Sequence, residues 1–209
     1  MIKIREEKVW FVSDSHYGHT NICRGVSRWK DENGNVPELG TRPFKNLDEM
    51  NDAIVNNINN VVGQNDVLIH FGDWSFGGFE NIKSFRDRVF CKNIYLMIGN
   101  HDHHIENNRE ETKNLFVKVR HLEEFIVNGQ MIIACHYPIS SWNKVRKGSW
   151  MIHGHIHNKG NARFTGEGKT MDVGMDGHPE FRPYSFQELK NIMDKRPAKT
   201  GVLEDHHGE

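Results

Sequence analysis

The segment Asp66-Val67-Leu68-Ile69-His70-Phe71-Gly72-Asp73 decides the fold. Its apolar, β-branched run has the pattern of a buried strand, which then breaks at a glycine and delivers a carboxylate. Both flanks read as helices. Upstream, Asn46 to Val62 puts Leu47, Met50, Ile54, Ile58 and Val61 on one face; Asn46 and Glu49 can form a capping box, and Gly63 suits the stop. Downstream, Asn81 to Val89 turns Ile82, Phe85 and Val89 inward, and Ile94 to Ile98 is a strand ending at Gly99-Asn100-His101. Further out, Val9-Trp10-Phe11-Val12 ends at Ser13-Asp14, and the polar stretch from Gly18 to Gly40 reads as a long loop. Alternating strands and helices predict an α/β half with parallel strands.

The second half reads differently. Phe116 to Arg120, Glu124 to Val127, Met131 to Cys135, Trp150 to His153 and Lys169 to Val173 are strands separated by short glycine-bearing turns. A last helix starts at Ser185, which with Glu188 makes a second capping box, and Pro197 limits its end. No repeat or linker interrupts the chain, so one domain is expected over residues 1–196, followed by a polar, flexible tail at 197–209.

Bulk properties exclude several classes. A net charge of -1 creates no global field for a polyanion, so long duplex nucleic acid is not an expected partner. No apolar run approaches a membrane span, and the charged start, Met1 to Lys8, has no signal-peptide core. Cys23, Cys91 and Cys135 are an odd, widely spaced set, which suits reduced thiols and a cytoplasmic location. Oligomeric state is left open by the sequence.

Chemistry gathers at the strand ends, where open α/β sheets place their ligands. Asp14-Ser15-His16, Gly72-Asp73, Gly99-Asn100-His101-Asp102, His136 and Gly154-His155-Ile156-His157 each follow an apolar run. Their oxygens and imidazole nitrogens are donors that Zn, Mn, Fe or Ni accept. Singly, each has a plainer explanation: a carboxylate after a strand can cap a turn, and a lone histidine is more often structural. Together and in this order they resemble the motifs of the calcineurin-like metallophosphoesterases, D-x-H, G-D, G-N-H-[DE], H and G-H-x-H. The likeness runs from Val9 to about His157.

That resemblance implies a four-layer α/β/β/α sandwich and two divalent metal ions (Mn, Fe, Zn or Ni). One ion would be held by Asp14, His16, Asp73 and His157, the other by Asp73, Asn100, His136 and His155. In the family, hydroxide generated at the metal pair attacks phosphorus. The histidine matching His101 serves the leaving oxygen or the phosphoryl group; Asp102, next to it, could orient its ring. Strand alternation independently supports the split of His155 and His157. Residues i and i+2 share a face, so the two could reach different ions about 3.5–4 Å apart.

Weaker candidates surround this set. His19 and Asn21 extend the first motif as in a subgroup of small family members, and Thr41-Arg42-Pro43-Phe44 resembles the same subgroup. Arg42 would then contact phosphate through its forked guanidinium. Lys144, Arg146 and Lys147 could steer an anion, while His70, His153 and the segment Asp172 to Asp176 read as structural. His103, His104, His206 and His207 read as solvated. The expected function is hydrolysis of a small phosphate ester or nucleotide, most of all an exposed diester such as a cyclic nucleotide or nucleic-acid end, because no insertion is long enough for a lid. The alternatives are a phosphomonoesterase and a metal-binding scaffold; an intact His101 speaks against the scaffold.

Overall fold

Side-chain alternation along a few short strands divides the core into layers. The computed structural model describes residues 1–5 and 8–199. Its strands are β1 (Ile2–Ile4), β2 (Val9–Val12), β3 (Val67–His70), β4 (Asn93–Met97), β5 (Lys118–Arg120), β6 (Leu122–Val127), β7 (Gln130–Cys135), β8 (Trp150–His153), β9 (Thr170–Asp172) and β10 (Tyr184–Ser185). The helices are α1 (Leu47–Asn59), α2 (Phe79–Arg88), α3 (His103–Asn107), α4 (Arg109–Thr112) and α5 (Phe186–Met193). The first sheet has the order β10-β2-β3-β4-β5, with β2 to β5 parallel and β10 antiparallel on β2. The second has the order β1-β6-β7-β8-β9, parallel except for the β6–β7 hairpin.

Val12, Leu68, Ile94 and Leu96 point to one face of the first sheet and pack on Met50, Ile54 and Ile58 of α1 and Ile82 and Phe85 of α2. Their strand neighbours Val9, Phe11, Val67, Ile69 and Met97 point the other way, onto Phe125, Val127, Ile132, Ala134, Trp150 and Ile152 of the second sheet. Each fully buried side chain of this size contributes about 1.5–3 kcal/mol, so the period of two fixes which face each strand presents. The outer face of the second sheet carries a smaller cluster, Ile133, Cys135, Trp142 and Met151. A loop with a 3₁₀ turn at Val145–Lys147 covers it, so the outermost layer on that side is thin. The α/β sandwich expected from the sequence is the fold observed.

Several local expectations change. The α1 box is half-formed: Asn46 Oδ1 accepts from Glu49 N at 2.8 Å, but Glu49 reaches back to Lys45 N rather than to Asn46 N. The Ser185–Glu188 box of α5 is complete. Of the described connections within the second sheet, β6–β7, Asn128-Gly129, is the tight turn. β7, β8 and β9 lie parallel, so their connections must cross over, and residues 136–149 and 154–169 do so without an α-helix. The loop after Gly18 contains two 3₁₀ turns, Thr20–Ile22 and Arg24–Val26, tied to Arg42 by backbone hydrogen bonds. The tail expected at 197–209, with His206 and His207, lies outside the described residues beyond 199. The three cysteines are buried and free, and no described helix is long and apolar enough to cross a membrane.

The sheets meet where β2 and β9 run out, with Ser13 N donating to Val173 O and Met175 N to Ser13 O, both at 3.1 Å. This brings the carboxyl ends of β2, β3 and β4 together with those of β7 and β8.

Candidate metal centre

Five of the candidate ligands share a backbone conformation that residues with side chains avoid. Asp14 (φ 54°), His16 (50°), Asp73 (54°), His155 (76°) and His157 (51°) are left-handed; among the other described non-glycine residues only Asn128, Lys144 and Phe181 are. Such positions cost on the order of 1–3 kcal/mol each and gather where the surroundings hold a side chain to a task.

The task is convergence. His16 Nε2 stands 3.0 Å from His157 Nε2, 3.4 Å from Asp73 Oδ2 and 4.0 Å from Asp14 Oδ1; His157 Nε2 is 3.6 Å from Asp14 Oδ1. Beside this group, Asn100 Oδ1 lies 3.0 Å from His136 Nε2 and 2.9 Å from His155 Nδ1, and His136 Nε2 is 3.6 Å from Asp73 Oδ2. Asp73 Oδ2 is common to both groups. Donors about 2.0–2.2 Å from one small ion stand roughly 3 to 3.5 Å apart, the spacing most of these atoms have.

The donors fit a cation. His136 Nδ1 lies 2.7 Å from the Phe71 carbonyl, which can only accept, so Nδ1 carries the proton. The neutral ring then aims the lone pair of Nε2 at Asn100 Oδ1, and two acceptors this close call for a positive charge between them. His16 Nδ1 is buried with no hydrogen-bond partner. Burial pushes the Asp14 carboxyl up to about 8 even though His157 acts against the shift. Burial, reinforced by His157 and Arg42, drives His16 well below the usual imidazole range. A cation among these groups reverses the penalty, since it favours both the carboxylate and the neutral imidazole.

Two glycines let the elements close on the site. A Cβ at Gly154 would stand 1.9 Å from Ser13 Oγ and 2.5 Å from Asp14 Oδ2, and one at Gly99 would stand 2.2 Å from Asp73 Oδ1. The close approach lets the His155 N–H donate to Asp14 at 3.1 Å and the His101 N–H donate to Asp73 Oδ1 at 2.9 Å.

The structure changes the reasons for some residues and the roles of others. β8 ends at His153, and His155 and His157 sit in a left-handed loop, so strand alternation does not divide them. They diverge nonetheless, His157 toward His16 and His155 toward Asn100. Asp102 does not orient the His101 ring. Its oxygens accept from the backbone N–H groups of Asp73 (2.7 Å), Gly99 (2.8 Å) and Trp74 (2.9 Å), so it braces the loop that carries Asp73. Arg42 is not free for phosphate. Its side chain is 3% exposed, forms a fork with Asp176 at 2.9 and 3.0 Å, and donates to the carbonyls of Ser15 and Asp14. Asn21 accepts from the Arg28 N–H in a surface turn. The turn bearing Arg146 and Lys147 packs through Val145 on the outer face of the second sheet.

His19 is placed beside the cluster, its ring centroid 5.2 Å from His16 and 5.8 Å from His101, and burial lowers it to about 4. His101 is half-buried, and one of its ring nitrogens lies within 4.8 Å of ligand atoms of His16 and Asp73. His70 and His153 are held internally, by Ser15 and the Gly72 N–H and by Thr165 and the Gly154 carbonyl.

Sequence reasoning missed Asp176. Its Oδ2 accepts from His157 Nδ1 at 2.8 Å, which leaves Nε2 facing the cluster. Burial alone would lower the His157 imidazole, but the Asp176 hydrogen bond and the Asp14 charge outweigh it and raise it. Arg42 in turn holds the Asp176 carboxyl below the ordinary range against the effect of burial. The signal lay in the segment Asp172 to Asp176, read only as structural. A cleft of about 460 Å³ adjoins His157, lined in part by Ile22, Leu39, Ile156, Lys159 and Ala162.

Residues 7–208 match the family described as calcineurin-like phosphoesterase. Over 152 residues the chain is 31% identical to the uncharacterized protein MJ1445 of Methanocaldococcus jannaschii, covering 72% of this chain and 69% of that one. Among solved structures it is similar to the protein of unknown function AQ665 from Aquifex aeolicus, with a TM-score of 0.58 and 18% identity over 88% of this chain and 98% of that one. At that identity the likeness concerns the fold.

Proposed function

The chain belongs to the calcineurin-like phosphoesterase family, and from that premise we propose that it is a dinuclear metal-dependent hydrolase of phosphate esters, diesters foremost. Asp14, His16, Asp73 and His157 would hold one ion, and Asp73, Asn100, His136 and His155 the other. The observation that carries this reading is the position of Asp73 Oδ2, 3.4 Å from His16 Nε2 and 3.6 Å from His136 Nε2. Bound there, manganese, iron, zinc or nickel ions supply Lewis acidity to the phosphoryl oxygens and make hydroxide available near neutral pH.

The chain's own groups do the rest. Asp176 and the Phe71 carbonyl hold protons on the Nδ1 atoms of His157 and His136, which keeps both Nε2 lone pairs turned inward. The His101 ring stands on the rim beside His16 with its backbone tied to Asp73. From there it donates a proton to the departing oxygen or a hydrogen bond to the phosphoryl group.

Charge supports the diester. A monoester dianion profits from several extra cations, and Arg42, the one expected, is spent on Asp176. Lys159 lines the adjoining cleft rather than the cluster itself. The test is the ratio of kcat/KM for a matched aromatic diester and monoester after reloading metal-free protein with Mn, Fe, Zn or Ni. A ratio above one is expected; a ratio below one with every metal makes the protein a phosphomonoesterase.

A further inference from the structure

Four Phe, Tyr or Trp side chains among the described residues are exposed: Trp29 (39%), Phe76 (38%), Phe90 (64%) and Tyr137 (43%). Single exposed rings need no explanation, but three of these four touch histidines of the candidate site. Tyr137 lies against His136 and His155. Phe76 and Trp29 both lie against His19. Phe76 stacks on His19 with centroids 4.0 Å apart and planes 7° apart, and Trp29 meets the same ring edge-on at 6.0 Å. Phe76 is also 5.4 Å from the His101 ring. The rings therefore run outward from His16 through His101 and His19 to two exposed aromatic surfaces.

Position gives this shelf a use. On the proposed function, on which this inference rests, His101 faces the departing oxygen, so the group attached to that oxygen lies on the same side. No Lys or Arg takes part in the described ring contacts there, and a base of any identity offers a π-face to such a surface. We infer that Phe76 and Trp29 form the leaving-group subsite, in which Phe76 stacks the planar base of a nucleotide and Trp29, set nearly perpendicular to it, borders that base. The preferred substrates are then phosphate esters whose leaving group is a nucleoside rather than a sugar or alkyl alcohol. Tyr137 stands where the second substituent of a diester would pass.

Equilibrium titration of the manganese-loaded protein with adenosine 5′-monophosphate and with ribose 5-phosphate tests this, since the two ligands differ only by the base. The nucleotide should bind about 5- to 150-fold more tightly, the range that stacking one base supplies. It should also quench Trp29 fluorescence, a change lost in Trp29→Phe. Phe76→Ala should remove most of the preference without altering ribose 5-phosphate binding. Phe76→Tyr should keep it, as should Phe90→Ala at an exposed ring with no described contact to the site. Equal affinity for the two ligands, or an equal loss of both in Phe76→Ala with metal content intact, overturns the shelf alone. Failure of both ligands and of inorganic phosphate to bind metal-loaded protein overturns the phosphoesterase reading and the shelf with it.

Discussion

Replacing Asp176 with asparagine tests how much of the metal centre is built from outside its ligands. Asp176 serves three donors: Oδ1 accepts Arg42 Nε at 3.0 Å, and Oδ2 accepts Arg42 Nη2 at 2.9 Å and His157 Nδ1 at 2.8 Å. An amide has one acceptor oxygen, so its NH2 group must face either Nε–H or the Nη2 and Nδ1 pair. The variant also leaves Arg42, 3% exposed, with no counter-charge. Losing one member of such a buried pair costs roughly 3–5 kcal/mol of stability; here the carbonyls of Ser15 and Asp14 still accept from Arg42, which favours the lower end. Losing the partner that orients a ligand histidine typically lowers metal affinity about 10- to 100-fold. Calorimetric metal titration with thermal unfolding of the apo protein separates the two effects. The ion held through His157 should weaken within that range, while the ion held through His136 and His155 stays close to wild type. Unchanged affinity at both ions, in a variant that folds, would refute the orienting role.

Other perturbations give distinct outcomes. His101→Ala should keep its metal content and lose about 100-fold or more in turnover, with a smaller loss for nitrophenolate leaving groups that need no proton; an equal loss for good and poor leaving groups points to phosphoryl stabilisation instead. Gly154→Ala should abolish tight metal binding, because its Cβ collides with Ser13 and Asp14, and metal retained at wild-type affinity contradicts that packing. Burial opposes ionisation of Glu188, but hydrogen bonds from Arg182 and Ser185 prevail and lower its carboxyl to about 2. A depressed carboxyl contributes stability that is full above the unfolded value of 4.5 and fades as pH falls toward about 2. Glu188→Gln should therefore flatten the acid limb of the unfolding profile between those values; an unchanged limb would count against it.

The first sheet was legible because its strands carry their own signals. Val9 to Val12, Val67 to His70 and Asn93 to Met97 are apolar runs bounded by turn residues, and α1 shows one apolar face. Short edge strands were not. β1 and β10 have three and two residues, and only a partner distant in sequence makes them strands. The 103–112 segment carries too few apolar residues for a helical face; Ile105 and Thr112 alone are buried in α3 and α4. The residue types at the metal cluster were readable, but their support was not. Arg42 and Asp176 are 134 positions apart, and the guanidinium looks as well suited to phosphate as to a carboxylate until the fold joins them. The same holds for His155 and His157, whose divergence comes from positive φ angles rather than strand alternation.

Anomalous scattering from crystals of metal-replete protein, with elemental analysis of the same sample, bears most directly on the shared position of Asp73. Two ions per chain are expected, with Asp73 Oδ2 between them and His155 and His157 on different ions; Asp73→Asn should weaken both. A single ion in replete protein, or two ions that do not share Asp73, would contradict the dinuclear centre.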